Sequence, residues 1–151
     1  MKISYKGDYA LKAVLELAPL FESGTVLPLA EIATRNDIPL QFLEQIMLIL
    51  KGAGYVDSKR GISGGFFLKK HPQEITMGEI VRLIDGDIEP IACVKTTIEP
   101  CCVEIETCVF REIWVKVTKS ITDIVDVVTF ADMMQRKEEL KQQINGYMYQ
   151  I

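Results

Sequence analysis

Tyr55-Val56-Asp57-Ser58-Lys59-Arg60-Gly61-Ile62-Ser63-Gly64-Gly65-Phe66-Phe67-Leu68 is the stretch that decides the fold of this 151-residue chain. Tyr55-Val56 and Phe66-Phe67-Leu68 are short runs of residues that favour strands. Between them lie a basic turn, Asp57 to Gly61, and the pair Gly64-Gly65. Together they predict a hairpin with a glycine-rich, basic tip. Within 51–70, five bases (Lys51, Lys59, Arg60, Lys69, Lys70) stand against Asp57 alone. A solvated charged hairpin would look the same in isolation, so the flanking sequence has to decide.

Upstream, Tyr9, Ala10, Ala13, Val14, Leu17 and Ala18 recur at helical spacing and predict a helix from about Lys6 to Leu20. Pro28 opens a short second helix carrying Leu29, Ile32 and Ala33. Arg35-Asn36-Asp37 forms a turn. Pro39 then opens a third helix with Leu40, Leu43, Ile46, Met47 and Leu50 on its inner face, closed by Gly52 and Gly54. Two short helices joined by a tight turn are a weak signal alone. Followed by a basic hairpin, they give the order of a winged helix. The predicted class is therefore mainly α: a winged helix-turn-helix domain over 1–85, with its wing at about 55–69.

Downstream, Thr76 and Glu79 form a capping box for a fourth helix to about Asp85. Residues 86–107 lack periodicity and read as a loop, a length that is usually functional or disordered. From Cys108 a long helix begins. Phe110, Trp114, Val117, Ile121, Ile124 and Val128 are spaced 4-3-4-3-4, the pattern of a coiled-coil seam. Thr129 and Asp132 resemble a second capping box, opening a last helix to about Gln143. The segment 108–145 thus reads as a dimerisation helix plus a C-terminal helix. The seam could also pack on its own domain. A homodimer is the stronger expectation, because helix-turn-helix proteins commonly bind two half-sites with two-fold symmetry.

The net charge of −4 hides an asymmetry. Residues 1–75 hold nine Lys/Arg and eight Asp/Glu, a net of +1, and residues 76–151 hold eight and thirteen, a net of −5. A local basic patch, not the average, is what a phosphate backbone meets. No run of ~18 uncharged apolar residues could span a membrane. Lys6, Asp8, Lys12 and Glu16 interrupt any signal-peptide core. The chain reads as cytoplasmic, where disulfides rarely persist.

That compartment matters for the cysteines. All four, Cys93, Cys101, Cys102 and Cys108, fall in the single non-periodic segment and the first residue after it. Such clustering points to metal binding or redox chemistry rather than core filling.

The order of these pieces resembles the bacterial winged-helix iron–sulfur transcription regulators typified by IscR, NsrR and CymR. Tyr5-Lys6-Gly7-Asp8-Tyr9-Ala10-Leu11 is similar to that family's first helix and Leu29-Ala30-Glu31-Ile32-Ala33 to its second. Phe42-Leu43-Glu44-Gln45-Ile46 resembles its recognition helix, and Arg60-Gly61 with Ser63-Gly64-Gly65-Phe66 its wing. The likeness covers about residues 1–130.

The resemblance implies a dimeric, sequence-specific regulator of double-stranded DNA operators. Gln41, Glu44 and Gln45 would face the major groove, where glutamate accepts from cytosine N4 and glutamine suits adenine. Arg60 would enter the minor groove, while Lys59 and Lys51 would hold phosphates. The alternative for Glu44 is an ordinary helix-surface carboxylate, repelled by phosphates.

The resemblance also implies an iron–sulfur cluster, [2Fe–2S] or [4Fe–4S], on three cysteines spaced Cys-x5-Cys-x5-Cys. Cys102-x5-Cys108 fits, whereas Cys93 and Cys102 are separated by eight residues. The ligands would be Cys93, Cys102 and Cys108, with Cys101 as the alternative to Cys102. The iron–sulfur assembly branch places a histidine three positions after the last cysteine; here that position is Arg111. The nitric-oxide branch uses an aspartate of the partner's first helix, a position held here by Asp8. Asp8 is the expected fourth ligand, with Cys101 as its rival. Without a cluster, Asp8 is an ordinary first-turn acid. His71 follows the wing, matches no family ligand and reads as a surface histidine.

Other readings stay open: a zinc site on all four cysteines, a cluster-free thiol switch, and, from another class, a small iron–sulfur electron carrier. The last leaves the basic wing unexplained. No enzymatic motif stands out.

Overall fold

In a computed structural model, residues 3–94 and 105–148 are described, the side chains of 145–148 excepted. Helix α1, Tyr5–Leu17, is capped by Ser4, whose hydroxyl accepts from the Gly7 amide at 3.0 Å. Ala10, Ala13, Val14 and Leu17 are buried at i, i+3, i+4 and i+7, the stripe the spacing predicts. The α-helix stops at Leu17 rather than Leu20, and Ala18–Leu20 tightens into a 3-10 turn. Pro19 explains the change: it has no amide to continue the ladder.

Helices α2, Leu29–Asn36, and α3, Leu40–Gly52, form the helix-turn-helix. Between them Asp37 adopts a left-handed conformation (φ 52°), which a short polar side chain tolerates. The Ile38 amide donates back to the Ala33 carbonyl at 2.9 Å. In α3, Leu43, Ile46, Met47 and Leu50 repeat the buried i, i+3, i+4, i+7 stripe.

Strands β1, Val56–Lys59, and β2, Gly65–Leu68, pair antiparallel with Val56 opposite Leu68 and Lys59 opposite Gly65. Phe66 also exchanges both backbone bonds with Leu27, at 2.9 and 2.8 Å, so the segment before α2 borders the wing as a third short edge. A Cβ on Gly65 would come within 2.5 Å of the Leu27 carbonyl, which is why glycine stands at this close approach. This is a mainly helical winged-helix fold.

Helix α4, Met77–Asp85, begins with the expected Thr76–Glu79 capping box. The long helix α5, Val109–Val125, has no buried residue, and α6 runs over Phe130–Met148. Thr129 and Asp132 do cap α6, with the Asp132 amide donating to Thr129 Oγ1 at 3.1 Å. The last helix extends past the expected Gln143. The seam is shorter than its spacing predicts. Val128 lies beyond α5, its carbonyl accepting from the Met77 amide at 2.9 Å, while Phe130 N donates to Ile75 O at 3.0 Å. These bonds stitch the starts of α4 and α6 together, and Phe130 is sealed in the main core.

Candidate nucleic-acid interface and cysteine segment

α3 presents two faces. With its inner stripe buried, Gln41, Glu44 and Gln45 are all exposed on the outside. The wing tip exposes Lys59 and Arg60, the latter beside Gly61 at φ 114°. Lys59 Nζ lies 5.5 Å from the centre of the Phe67 ring.

Lys51 is differently placed. Its ammonium sits 2.9 Å from Asp57 Oδ1 and donates to Ser58 Oγ at 2.6 Å. Lys51 thereby ties the end of α3 to the first wing strand. The hydrogen bond from Lys51, helped by one from the Ser58 amide, holds the Asp57 carboxyl below its ordinary range. The family resemblance places Lys51 at phosphates, and no motif in the sequence signals this strut.

A second strut holds α1 against α4. The Ser4 amide and hydroxyl donate to Asp85 Oδ2 and Oδ1 at 2.9 and 2.5 Å. Gly7 packs beneath, where a Cβ would meet Asp85 Oδ2 at 2.4 Å. An isolated glycine inside a predicted helix was the available signal for this contact.

Asp8 faces outward on α1, paired with Lys12 at 2.8 Å. The hydrogen bond to Asp8 keeps the Lys12 ammonium above its ordinary range, against an opposing effect of burial. Asp8 borders a cleft of roughly 440 Å³ lined by Ile3, Ser4, Tyr5, Leu11 and Met77.

Of the four cysteines, Cys93 and Cys108 are free thiols of intermediate burial, while Cys101 and Cys102 lie outside the described residues. Within the expected loop, Ala92–Val94 forms a 3-10 turn. Cys108 is the N-cap of α5. Arg111 Nε donates to the Cys93 carbonyl at 2.8 Å, drawing that turn against the first turn of α5. Cys108 and Arg111 also line an open cleft of about 380 Å³ with Ile105, Glu112 and Val115. Arg111, which cannot ligate iron, thus has a backbone-clasping role the sequence did not disclose. Among the described residues no three potential ligands come together as a metal site. His71 is structural: Nδ1 accepts from the Gln73 amide at 3.2 Å and the ring packs edge-on to Phe21.

The family model for Rrf2, described as an iron-dependent transcriptional regulator, matches residues 3–136. The chain belongs to the Rrf2 family. It is 42% identical over 137 residues to a Rhodobacter capsulatus HTH-type regulator named rrf2-like, covering 87% of this chain and 91% of that one. Its fold is similar to that of CymR, the global cysteine regulator of B. subtilis, with TM-score 0.75 and 33% identity over 90% of this chain and 98% of that one. It is also similar to T. potens IscR, with TM-score 0.71 and 33% identity over 93% and 90% of the two chains. Like these Rrf2 relatives, which are transcriptional regulators rather than enzymes, the chain is a helix-turn-helix DNA-binding regulator. No helix among the described residues of this Rrf2 protein is long and apolar enough to cross a membrane.

Proposed function

We propose that this Rrf2 regulator acts in the cytoplasm as a homodimer that reads a two-fold operator and senses iron, nitric oxide or redox state through an iron–sulfur cluster. The observation that carries the sensing half is the Arg111–Cys93 bond, which draws one cysteine towards the helix that another cysteine caps. Soft thiolates suit iron–sulfur clusters, and a carboxylate can complete the set where a cysteine is missing. The donor types suit such a cluster: Cys93 and Cys108 are free, partly accessible thiols, and Asp8, which would first release Lys12, is half-exposed beside a cleft. Cys93, Cys108, one of Cys101 and Cys102, and Asp8 of the partner subunit would hold the cluster. The cluster supplies the reactivity towards iron supply, nitric oxide or oxidants.

The protein's own residues do the remaining work. Arg111 fixes the backbone at Cys93, and Cys108 begins α5, so any change in the cysteine segment acts directly on that helix. α5 exposes Phe110, Ile113, Trp114 and Ile124, the apolar face that a second copy would cover. A shift of α5 then alters the distance between two DNA-reading heads, and half-site spacing converts that distance into affinity. On the DNA, Gln41, Glu44 and Gln45 address base edges, Arg60 enters the minor groove, and Lys59 holds phosphate. Lys51 acts there only after releasing Asp57.

Anaerobic purification with iron, zinc and acid-labile sulfide assays tests the cluster. Iron and sulfide in comparable amounts are expected; zinc at one per chain without sulfide sinks the reading. Asp8→Ala is expected to make the cluster more labile, with a changed visible spectrum. Arg60→Ala is expected to weaken operator binding.

A thiol switch is the second reading, favoured by the two free, partly accessible thiols and by the relative titled a global cysteine regulator. It predicts metal-free protein whose DNA affinity changes with peroxide and recovers with dithiothreitol.

A further inference from the structure

Like Leu40 and Phe42 nearer the start of the helix, Leu48 is an exposed apolar residue of α3 that does not join the buried core. Its side chain is 70% exposed, the most open of the large apolar residues on that helix. Leu43, Ile46, Met47 and Leu50 point inward, and at about 100° per residue Leu48 falls on the opposite face. There it lies four residues after Glu44 and three after Gln45, so it continues their ridge by one turn. It is followed on the same face by Gly52, which adds no side chain. An isolated exposed leucine on a protein surface is ordinary. A leucine inside the row that faces base edges is a chemical statement. The major groove offers one apolar feature, the C5-methyl group of thymine.

We propose that Leu48 is a specificity-determining residue that recognises a thymine methyl group in each operator half-site. The thymine would stand about one helical turn of α3 beyond the bases addressed by Glu44 and Gln45. The inference rests on α3 being the recognition helix. It adds a contact that supplies discrimination through dispersion and dehydration rather than hydrogen bonds, and so does not weaken with salt as phosphate contacts do.

The test begins with selection of bound sequences from a random duplex pool by the full-length protein. Each thymine of the selected half-site is then replaced by deoxyuridine, which lacks only the methyl group. Wild-type protein is expected to lose about four-fold in affinity at one position, the worth of burying one methyl group. Leu48→Ala is expected to bind the thymine duplex several-fold more weakly and to be indifferent to deoxyuridine at that position. It should keep any penalty found at others. Circular dichroism and self-association unchanged from wild type would show the variant intact.

An unaltered deoxyuridine profile in Leu48→Ala overturns the proposal while leaving the regulator reading in place. A changed oligomeric state with that same unaltered profile also overturns it and assigns Leu48 to a protein contact. A pool that yields no enriched sequence overturns the recognition-helix reading itself, and the Leu48 proposal with it.

Discussion

α3 and α5 are both helices with conspicuous apolar residues, yet the molecule treats them oppositely. α3 buries its apolar stripe, Leu43, Ile46, Met47 and Leu50, in the core and turns Gln41, Glu44 and Gln45 outward with Leu48 among them. α5 carries Phe110, Ile113, Trp114, Val117, Ile121 and Ile124 and buries none of them; Phe110 is 72% exposed and Ile124 64%. A periodic apolar face thus establishes that a helix packs, not against what. α3 meets its partner surface within residues 3–85. α5 is held at its two ends, by Arg111 to the Cys93 carbonyl and by Arg82 bonded to both oxygens of Asp126 at 2.6 and 2.9 Å. Its middle is left for a second copy of the chain, in the proposed dimer.

The sharpest way to break this contrast is to disturb the sealed core and the open face of α5 separately. Phe130→Ala opens a cavity in the sealed core and is expected to cost about 3–5 kcal/mol in urea unfolding. Should Phe130→Ala cost less than about 1 kcal/mol, α6 is not anchored as described. On the open side, Phe110→Asp with Ile124→Asp is expected to raise the dimer dissociation constant about a hundred-fold or more in sedimentation velocity, because charge at a dehydrated interface is costly. An unchanged distribution of species removes α5 as the dimer face.

A smaller effect concerns Glu16, which α1 places between α2 and α6. Its side chain is 13% exposed and bonds Arg35 of α2 at 2.8 Å and Lys137 of α6 at 3.4 Å. Burial alone would raise its pKa, but the Arg35 hydrogen bond and the Lys137 charge more than reverse this, leaving it below the ordinary value. A carboxyl depressed in the folded state adds stability above its unfolded pKa of about 4.3 and loses it as pH falls through the lower folded value. Glu16→Gln is therefore expected to destabilise the protein by about 1 kcal/mol at pH 7. The deficit should shrink as pH drops below about 4. A deficit that is constant with pH would mean that the carboxylate charge is not the cause.

The least effect is expected at the far end of α5. Asp126→Asn removes the charge from a partly exposed pair and should cost no more than about 1 kcal/mol, with the loss reduced in high salt. A larger loss would mean that α5 depends on this clamp more than on a partner.

Much of this was legible in one sequence because local physics produced it. The stripes of α1 and α3, the Thr76–Glu79 and Thr129–Asp132 boxes, and the glycine-rich hairpin depend on residues within a few positions of one another. What the sequence did not disclose arose where residues outside a local motif intervene. Val128 continued the seam on paper, but its carbonyl is taken by Met77 and the helix has already ended. Lys51 is expected at phosphates, and its bonds to Asp57 and Ser58 add partners that no local motif signals. Arg111 read only as a missing histidine, although it holds Cys93 from 18 residues away.

The sequence by itself determined the helices, the wing, the family and the cysteine spacing, since each rests on periodicity, turn chemistry or a contiguous motif. The tertiary structure alone decided which of those groups are spoken for. Ser4 and Gly7 belong to Asp85, Lys51 to Asp57, and Arg111 to the Cys93 carbonyl, while Leu48 is left open on the outer face of α3. The reason is physical: a hydrogen bond or a buried contact depends on distance in space, and chain separation carries almost no information about that distance.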